Sequence, residues 1–291
     1  MYSAWLLIKE TGRHFMEDEA LSRGAAIAYY TVFSIAPVLV IAIAMAGLAF
    51  GEQAAEGAIV DQLSDLIGIQ GAQGLQAMIA SASNPGSGIL ATVVGIGTLV
   101  VAATSVFGEM QSALNAIWKT EAPPHSTLTR MVRARLAGLG LVVTVGFLLL
   151  VSLVVSTAIA ALNNYLDEFF SGAHLLFQGL SFVISFGLIA LLFAAIYKLL
   201  PDRHIAWSDV IIGAVATSLL FTIGKSLISL YLGSSSVTHA YGAAGGLVIV
   251  LLWIYYSAQI FLFGAEFTRV YAERHGTEKD KPSDRSPEHS R

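Results

Sequence analysis

The fifth long apolar stretch of the sequence carries polar residues at regular intervals. Ser218, Thr222, Lys225 and Ser229 follow spacings of 4, 3 and 4, so they share one face of an α-helix. An ammonium group beside hydroxyl groups in an apolar helix can line an internal cavity and bind an anion such as a lipid phosphate. Alternatively, the hydroxyls join neighbouring helices and the lysine snorkels to an interface, since it lies only seven residues before Leu232. Both interpretations of Lys225 stay open.

Gly224, Lys225 and Ser226 are also the last three residues of a phosphate-binding P-loop pattern. That pattern needs another glycine five positions before Gly224, in a loop that follows a strand. Leu219 stands there, and the preceding residues are typical of a membrane helix. The sequence therefore excludes a P-loop, and Lys225 is interpreted as a charge within a membrane.

Polar side chains on two other apolar stretches extend the candidate site. Tyr30 and Ser34 are four residues apart and just precede Pro37, which removes a backbone donor and predicts a kink. Tyr256 and Gln259 are three apart on the last stretch and share a face. We predict a substrate or ion cavity where these faces meet, lined by Lys225, Thr222, Ser218, Ser229, Tyr30, Ser34, Tyr256 and Gln259.

Charged residues near the inner ends of the apolar stretches form a second group. Its two acids either pair with nearby arginines as part of the structure or serve the function directly, and both interpretations stay open. This predicted inner-face charge cluster comprises Glu109, Glu266, Arg133, Arg135 and Arg203.

The segment HAYGAAGG, residues 239–246, precedes the last apolar stretch. Its glycines predict either a broken or re-entrant start of that helix, as in transporters, or close packing between helices. Together with the proline of the first stretch, the candidate hinges are Pro37, Gly242, Gly245 and Gly246.

The composition indicates that a membrane positions these residues. The chain has 291 residues, of which 55% are hydrophobic and 12% are charged, whereas soluble proteins carry roughly 25% charged residues. The mean hydropathy is +0.70. Because the chain has no cysteine, disulfides, thiolate metal sites and thiol nucleophiles are excluded. We predict an all-α, polytopic integral membrane protein.

Six apolar stretches are long enough to span a bilayer, which needs about 20 residues. Residues 1–24 predict a cytoplasmic interfacial helix, and residues 271–291 predict a disordered cytoplasmic tail. The first outer connection, residues 51–88, predicts short amphipathic helices on the outer membrane surface. The membrane domain covers residues 25–270, with spans at residues 25–50, 89–107, 136–162, 175–200, 210–232 and 243–270.

The basic residues determine the predicted orientation. All Lys and Arg residues except Lys225 fall in the N-terminal segment, the second and fourth connections, and the C-terminal segment. Because cytoplasmic loops carry an excess of Lys and Arg, both termini are predicted to be cytoplasmic. The same segments hold most of the acidic residues, so the inner face is nearly neutral.

An ordered set of segments resembles the YihY/BrkB family of membrane proteins. The segments are AIAYYTVFSIAPVL, LNAIW, LPDRHIAWSDVIIGA, AYGAAGG and LLWIYYSAQIFLFGAEFTRV, and the resemblance covers about residues 5–276. The resemblance implies a six-span protein of the bacterial inner membrane. Members of that family have been called serum-resistance factors, proposed transporters and, historically, ribonuclease BN. The resemblance implies no established catalytic residue.

We expect a transporter or exporter of an amphipathic or anionic, lipid-like substrate that acts in envelope maintenance. The alternative is a non-transporting scaffold for envelope assembly, which needs only helix packing. A ribonuclease is disfavoured because acids and histidines are scattered on the inner connections and the inner face has no basic groove. We therefore expect no enzyme activity, no metal or cofactor, and no nucleic-acid partner. The expected partners are membrane lipids, an amphiphilic anionic substrate and, in a homo-oligomer, further copies of the chain.

The predicted orientation can be tested with reporter fusions. Fusions at Gln70, Asn163 and Ser235 should report an external position, because the connections that contain them have no Lys or Arg. Fusions at Pro123, at His204 and at the C terminus should report a cytoplasmic position. A cytoplasmic signal at Gln70 or Asn163 would overturn the arrangement of six spans.

Overall fold

The computed structural model describes residues 4–82, 89–120, 138, 140, 173–234 and 245–276. Regular secondary structure in this part of the chain is entirely helical, which confirms the all-α prediction there. The described helices are α1 (Ala4–Glu17), α2 (Ala20–Phe50), α3 (Glu52–Ala82), α4 (Ile89–Ile117), α5 (Ala173–Leu199), α6 (Trp207–Ser234) and α7 (Gly245–Arg274).

Four of the described helices, α2, α5, α6 and α7, are long and apolar enough to cross a membrane. They correspond to the predicted first, fourth, fifth and sixth spans. The predicted second span corresponds to α4, a helix of 29 residues. The predicted third span, residues 136–162, and most of the predicted tail lie outside the described residues. The count of six spans therefore stays a prediction.

Helix α7 is the centre of the described bundle, because it contacts α1, α2, α3, α4 and α6. Two clusters of buried apolar side chains meet along it. One cluster joins α7 to α4 and α5 through Phe261, Leu114 and Phe193. The other joins α7 to α2 and α3 and includes Ile254 and Leu75. Between apolar membrane helices, close packing of such side chains supplies much of the attraction.

Helices α6 and α7 cross closely because each places a glycine opposite a threonine of the other. A Cβ atom at Gly264 would overlap Thr217, and a Cβ atom at Gly213 would overlap Thr268. The two pairs are one helical turn apart on both helices, and their order shows that the helices are antiparallel. Small residues allow two membrane helices to approach in this way.

Helix α3 occupies the predicted first outer connection and is kinked at Gly68, whose φ of 77° lies in the left-handed region. Its apolar residues pack on α2 and α7, where Ile59 and Leu75 are buried. A Cβ atom at Gly74 would lie 3.5 Å from the carbonyl carbon of Gly246. The predicted position on the outer membrane surface is therefore not confirmed. An amphipathic pattern supplies an apolar face, and that face can bury against protein as well as against lipid.

The predicted hinges have different outcomes. Pro37 lies inside α2, which continues as one helix on both sides of it. Gly245 and Gly246 are the first residues of α7, and Gly246 approaches Gly74, so small size serves close packing there. Gly242 lies outside the described residues.

Helix α1 contacts α7 and α2. Trp5, Leu6 and Ile8 are exposed on it, whereas the ring centroid of Phe15 lies 5.8 Å from that of Phe263 on α7. The exposed apolar side chains agree with the expected interfacial helix. Its position relative to a membrane stays a prediction.

The crossing of α6 and α7 predicts a sharp difference between two glycines. We expect Gly264→Ala to destabilise the folded protein by about 1–3 kcal/mol, because the added methyl group must displace Thr217. Gly187→Ala on α5 is the matched control, since no atom lies within 4 Å of the added Cβ. The measurement is the melting temperature of each purified variant in detergent. Equal melting temperatures for the two variants would contradict the described crossing.

Candidate functional site

A group of charges lies where the turn between α1 and α2 meets α7. The Arg269 side chain is 3% exposed and donates from Nη1 to Asp18 Oδ2 at 2.9 Å. Its Nη2 lies 3.4 Å from Glu266 Oε2, and its Nε lies 3.7 Å from Glu273 Oε1. We call Asp18, Glu266, Arg269 and Glu273 the Arg269 cluster.

The local sequence explains how the cluster forms. Its three members on α7 are three and four residues apart, so they share one helix face. Asp18 lies in the short turn after α1, followed by Glu19, whose φ of 54° is in the left-handed region. Arg23 donates from Nε to the Asp18 carbonyl at 3.0 Å. The turn therefore presents the Asp18 carboxylate to the arginine of α7.

Arg269 also donates from Nη1 to the carbonyl of Ile117, the last residue of α4. One guanidinium thus joins the turn between α1 and α2, the end of α4, and α7. Arginine suits this position because its planar group carries five donors and stays charged.

Glu266 is buried, but this arrangement of described residues leaves the hydrogen-bonding capacity of its carboxyl oxygens unused. The residue is 0% exposed, and neither carboxyl oxygen has a hydrogen-bond donor within the described ranges. The 3.4 Å separation from Arg269 therefore provides charge attraction without a hydrogen bond of good geometry. An ionised carboxylate in such a place is costly.

A second ion pair joins α7 to α1. Arg274 donates from Nε to Glu10 Oε2 at 3.2 Å, and this side-chain hydrogen bonding lowers the pKa of the Glu10 carboxyl below its usual value. The ionised form is therefore favoured by folding. The resulting stabilisation is present above the unfolded pKa of about 4.3 and is lost as the pH falls through the lower pKa of the folded protein.

The segments LNAIW and LPDRH, which carry part of the family resemblance, contact each other. Asn115 donates from Nδ2 to Asp202 Oδ2 at 2.8 Å, and the backbone N–H of Asp202 donates to Asn115 Oδ1 at 2.9 Å. Arg203 donates from Nη1 to the Trp118 carbonyl at 2.9 Å and lies 5.7 Å from the centroid of the Trp118 ring. These contacts fix the loop after α5 to the end of α4.

The predicted inner-face charge cluster is thus only partly assembled in the described residues. Glu266 pairs with Arg269 rather than with Arg203, whose guanidinium bonds to a backbone carbonyl. Glu109 lies half-buried on α4. Arg133 and Arg135 lie outside the described residues.

Sequence reasoning missed Arg269 and Asp18 as members of the site. The spacing of Glu266, Arg269 and Glu273 was a usable signal for the part on α7. Nothing local in the sequence indicates that Asp18 meets them, because that contact joins residues 251 positions apart.

The hydroxyls of the predicted face on α6 bond within their own helix. Ser218 donates to the Ala214 carbonyl at 2.7 Å, and Thr222 donates to the Ser218 carbonyl at 2.7 Å. Lys225 is half-buried and has no hydrogen-bond or ion-pair partner among the described residues. The hydroxyl protons of Ser218 and Thr222 are therefore used within the helix, and the side chain of Ser229 is not described. The role of this face in binding a ligand stays a prediction.

The predicted residues of α2 do not join that face. Ser34 is buried and donates to the carbonyl of Ala102 on α4, so it links two helices. Tyr30 is 41% exposed, and its ring packs edge-on against Tyr29 with centroids 5.7 Å apart. The predicted role of Tyr30 and Ser34 in binding a ligand stays a prediction.

The described helices enclose, among others, two cavities that contain predicted residues. The proline cavity, of about 550 Å³, is lined by α2, α3 and α4 and includes Pro37, Phe33, Met78 and Thr98. The Tyr256 cavity, of about 310 Å³, lies between α6 and α7 and is lined by Phe15, Leu220, Ile223, Gly224, Leu227, Tyr256, Gln259, Ile260 and Phe263. The second cavity brings together two of the predicted site residues, Tyr256 and Gln259. Lys225 lines neither of the two cavities.

Comparison with known proteins identifies the family. A family model described as Virulence factor BrkB matches residues 11–289. The chain belongs to the BrkB family. It is therefore a membrane protein of that family, in agreement with its long apolar helices.

Curated relatives of this BrkB-family chain are named UPF0761 membrane proteins. The relative from Idiomarina loihiensis is 31% identical over 66% of this chain and 64% of its own length. The relative from Aeromonas salmonicida is 26% identical over 89% of this chain and 86% of its own length. For several relatives the match spans less than two thirds of their length, as in Alcanivorax borkumensis, with 58%. No solved structure matches the chain.

The two arginines at the α1 end of this BrkB-family chain should differ strongly in importance. Arg269→Met should destabilise the protein by about 3–5 kcal/mol, because it leaves the largely buried Asp18 carboxylate without its counter-charge. Arg274→Met should cost at most about 1 kcal/mol, since that pair is partly exposed and screened by solvent. The measurement is chemical or thermal unfolding of the purified variants. Equal losses would contradict the described burial of Arg269.

Proposed function

We propose that this chain transports or exports an amphipathic, lipid-like substrate, and that the Tyr256 cavity receives it. The observation that carries the proposal is the division of the cavity lining into apolar walls and a small polar part. An amphiphile has the same division between its chain and its head group. The cavity of about 310 Å³ is at the small end of the range of ligand sites.

The walls of the cavity suit a hydrocarbon chain. Leu220, Ile223 and Leu227 of α6 face Ile260 and Phe263 of α7 across it. Leu220, Ile223 and Leu227 are 39%, 52% and 58% exposed. A single acyl chain could lie along this surface and replace lipid that otherwise contacts it.

The polar part of the cavity suits a head group that donates hydrogen bonds. Gln259 donates from Nε2 to the Leu21 carbonyl at 3.4 Å, and its Oε1 is buried without a partner among the described residues. A hydroxyl or ammonium group of a substrate would satisfy that oxygen. Tyr256 adds a hydroxyl beside Gly224, where the missing side chain leaves room for its ring. Recognition of an anion through Lys225 receives no support from this lining.

Helix α1 supplies a means of opening and closing the cavity. Phe15 of α1 lines the cavity and packs on Phe263. The Arg269 cluster and the pair of Arg274 and Glu10 attach the same helix to α7. Release of these contacts would move Phe15 away and change access to the cavity, as alternating access requires.

We also propose that the protein lies in the bacterial inner membrane with the α1 end in the cytoplasm. The excess of Lys and Arg near that end supports this orientation. Lipids surround the helices in this proposal, and neither a cofactor nor a nucleic acid takes part. A homo-oligomer is compatible with it.

A non-transporting scaffold is the second candidate function. It is favoured by the hydroxyls of Ser34, Ser218 and Thr222, which serve helix structure and helix contacts rather than a polar path. We assign no enzyme activity. Within the described ranges, no group of three or more His, Asp and Glu residues is arranged to hold a metal ion, as a metal-dependent ribonuclease would need.

Filling the Tyr256 cavity should block the substrate. We expect Ile223→Trp, which adds bulk to the cavity wall, to reduce labelling of α7 by a photoactivatable single-chain phospholipid by at least about tenfold, which corresponds to about 1.4 kcal/mol. Translocation of a fluorescent phospholipid analogue in proteoliposomes should fall with it. The labelled residues are identified by mass spectrometry.

The matched control is Ile211→Trp, at a residue of α6 that is 52% exposed and does not line the cavity. It should label and transport as the original chain does. Undiminished labelling and translocation in Ile223→Trp would refute the cavity as the substrate site. Absence of translocation in the original chain, with cavity labelling intact, would favour the scaffold.

A further inference from the structure

The buried part of the Arg269 cluster has one carboxyl group too many for its charges to balance. Asp18 and Glu266 both face the same guanidinium. If both were ionised, a net negative charge would be held where Glu266 is 0% exposed. Several kcal/mol per buried ion is the typical penalty for such a charge. The charges balance when one of the two carboxyl groups holds a proton.

The contacts of the two carboxyl groups differ in a way that favours a proton on Glu266. Asp18 accepts a 2.9 Å hydrogen bond from Arg269, which stabilises its ionised form. Glu266 accepts no hydrogen bond from any donor within the described ranges. A protonated carboxyl group carries no charge, so burial of Glu266 without a hydrogen-bond donor costs least in that form.

Within the described ranges, charged groups on the neighbouring helices do not supply a second buried positive charge. Lys119, just beyond α4, acts on Glu266 through its charge but is itself exposed. On α1, burial lowers the pKa of His14, so its neutral form is favoured. Arg23 of α2 donates to the backbone carbonyl of Asp18. Asp209 of α6, which lies beside Gly276, is an acid and adds no positive charge. On α7, the further member of the cluster is an acid, so it adds no positive charge.

We propose that Asp18 and Glu266 form a proton-binding site, in which Glu266 carries the proton and Arg269 balances the charge of Asp18. The ligand of this site is a proton that comes from solvent water and returns to it. Solvent reaches the rim of the cluster at Glu273, whose side chain is 47% exposed. The inference does not rest on the transport proposal, since the site is defined without a substrate.

Proton binding at this site predicts the sign of a pH dependence. The folded protein keeps a proton on Glu266 at a pH at which a carboxyl group of the unfolded chain, with its usual pKa of about 4.3, has lost it. The folded state therefore binds more protons than the unfolded state. The contribution of this site to stability is therefore full below the unfolded pKa of about 4.3 and is lost as the pH rises through the titration of the site in the folded protein.

Infrared spectroscopy of the full-length protein in lipid nanodiscs, with no substrate present, tests the proposal. The carbonyl band of a protonated carboxylic acid should be present at neutral pH and should shift in deuterated water. In Glu266→Gln the intensity of this band should fall by the contribution of one carboxylic acid. Glu273→Gln, about two turns further along α7 on the same face, should keep the band. Asp18→Asn should also lose it, because Glu266 then becomes the ionised partner of Arg269.

Melting curves over a pH series supply the second readout. Glu266→Gln mimics the protonated form, so it should fold and should lose the decline in stability that the original chain shows as the pH rises from about 4.3 through the titration of the folded site. An unchanged infrared band in Glu266→Gln would overturn the proposal. So would a band that disappears on addition of sodium ions at constant pH, because the site would then bind a cation in place of the proton.

Discussion

Arg269 is the residue on which the arrangement of the α1 end depends. A guanidinium that is 3% exposed must have its charge balanced and its donors used within the protein. Asp18 balances the charge, and the carbonyl of Ile117 takes a further hydrogen bond. Because these partners come from the turn between α1 and α2 and from the end of α4, burying one side chain of α7 places three other helices. The position of α1 against the bundle follows from this constraint.

The two proposals concern different positions along α7. The Tyr256 cavity lies beside α6 and is partly covered by Phe15 of α1. The proton-binding site lies further along α7, where Glu266 and Arg269 meet the turn that follows α1. A helix that both covers the cavity and is held by a titratable site would connect protonation to access. Proton binding and substrate binding can nevertheless be tested separately, since different side chains carry them.

The sequence predicted the helices better than it predicted their partners. Apolar stretches correctly indicated the four described helices that can cross a membrane, because length and composition are local properties. Ser218, Thr222 and Lys225 do lie on one described helix, but such a pattern alone does not distinguish a binding site from helix structure, since hydroxyls can bond to carbonyls four residues earlier. Tyr256 and Gln259 do share a cavity.

What could not be predicted depends on contacts between distant parts of the chain. The apolar pattern of the first outer connection fits a membrane surface and a bundle equally well, and only the packing of Leu75 distinguishes them. In the same way, the turn residue Asp18 acquires its role from Arg269, 251 positions away. A buried ion pair of this kind has no local signature in one sequence.

Whether Arg269 positions α1 can be tested by measuring the distance between α1 and α6. The chain has no cysteine, so spin labels at Gly12→Cys on α1 and Ile211→Cys on α6 would be the only labels, and pulsed electron paramagnetic resonance would report their separation. A single narrow distance distribution is expected in the original background and in Arg274→Met. In Arg269→Met the distribution should broaden or move to longer distances. The same narrow distribution in Arg269→Met would contradict the claim that this arginine positions α1.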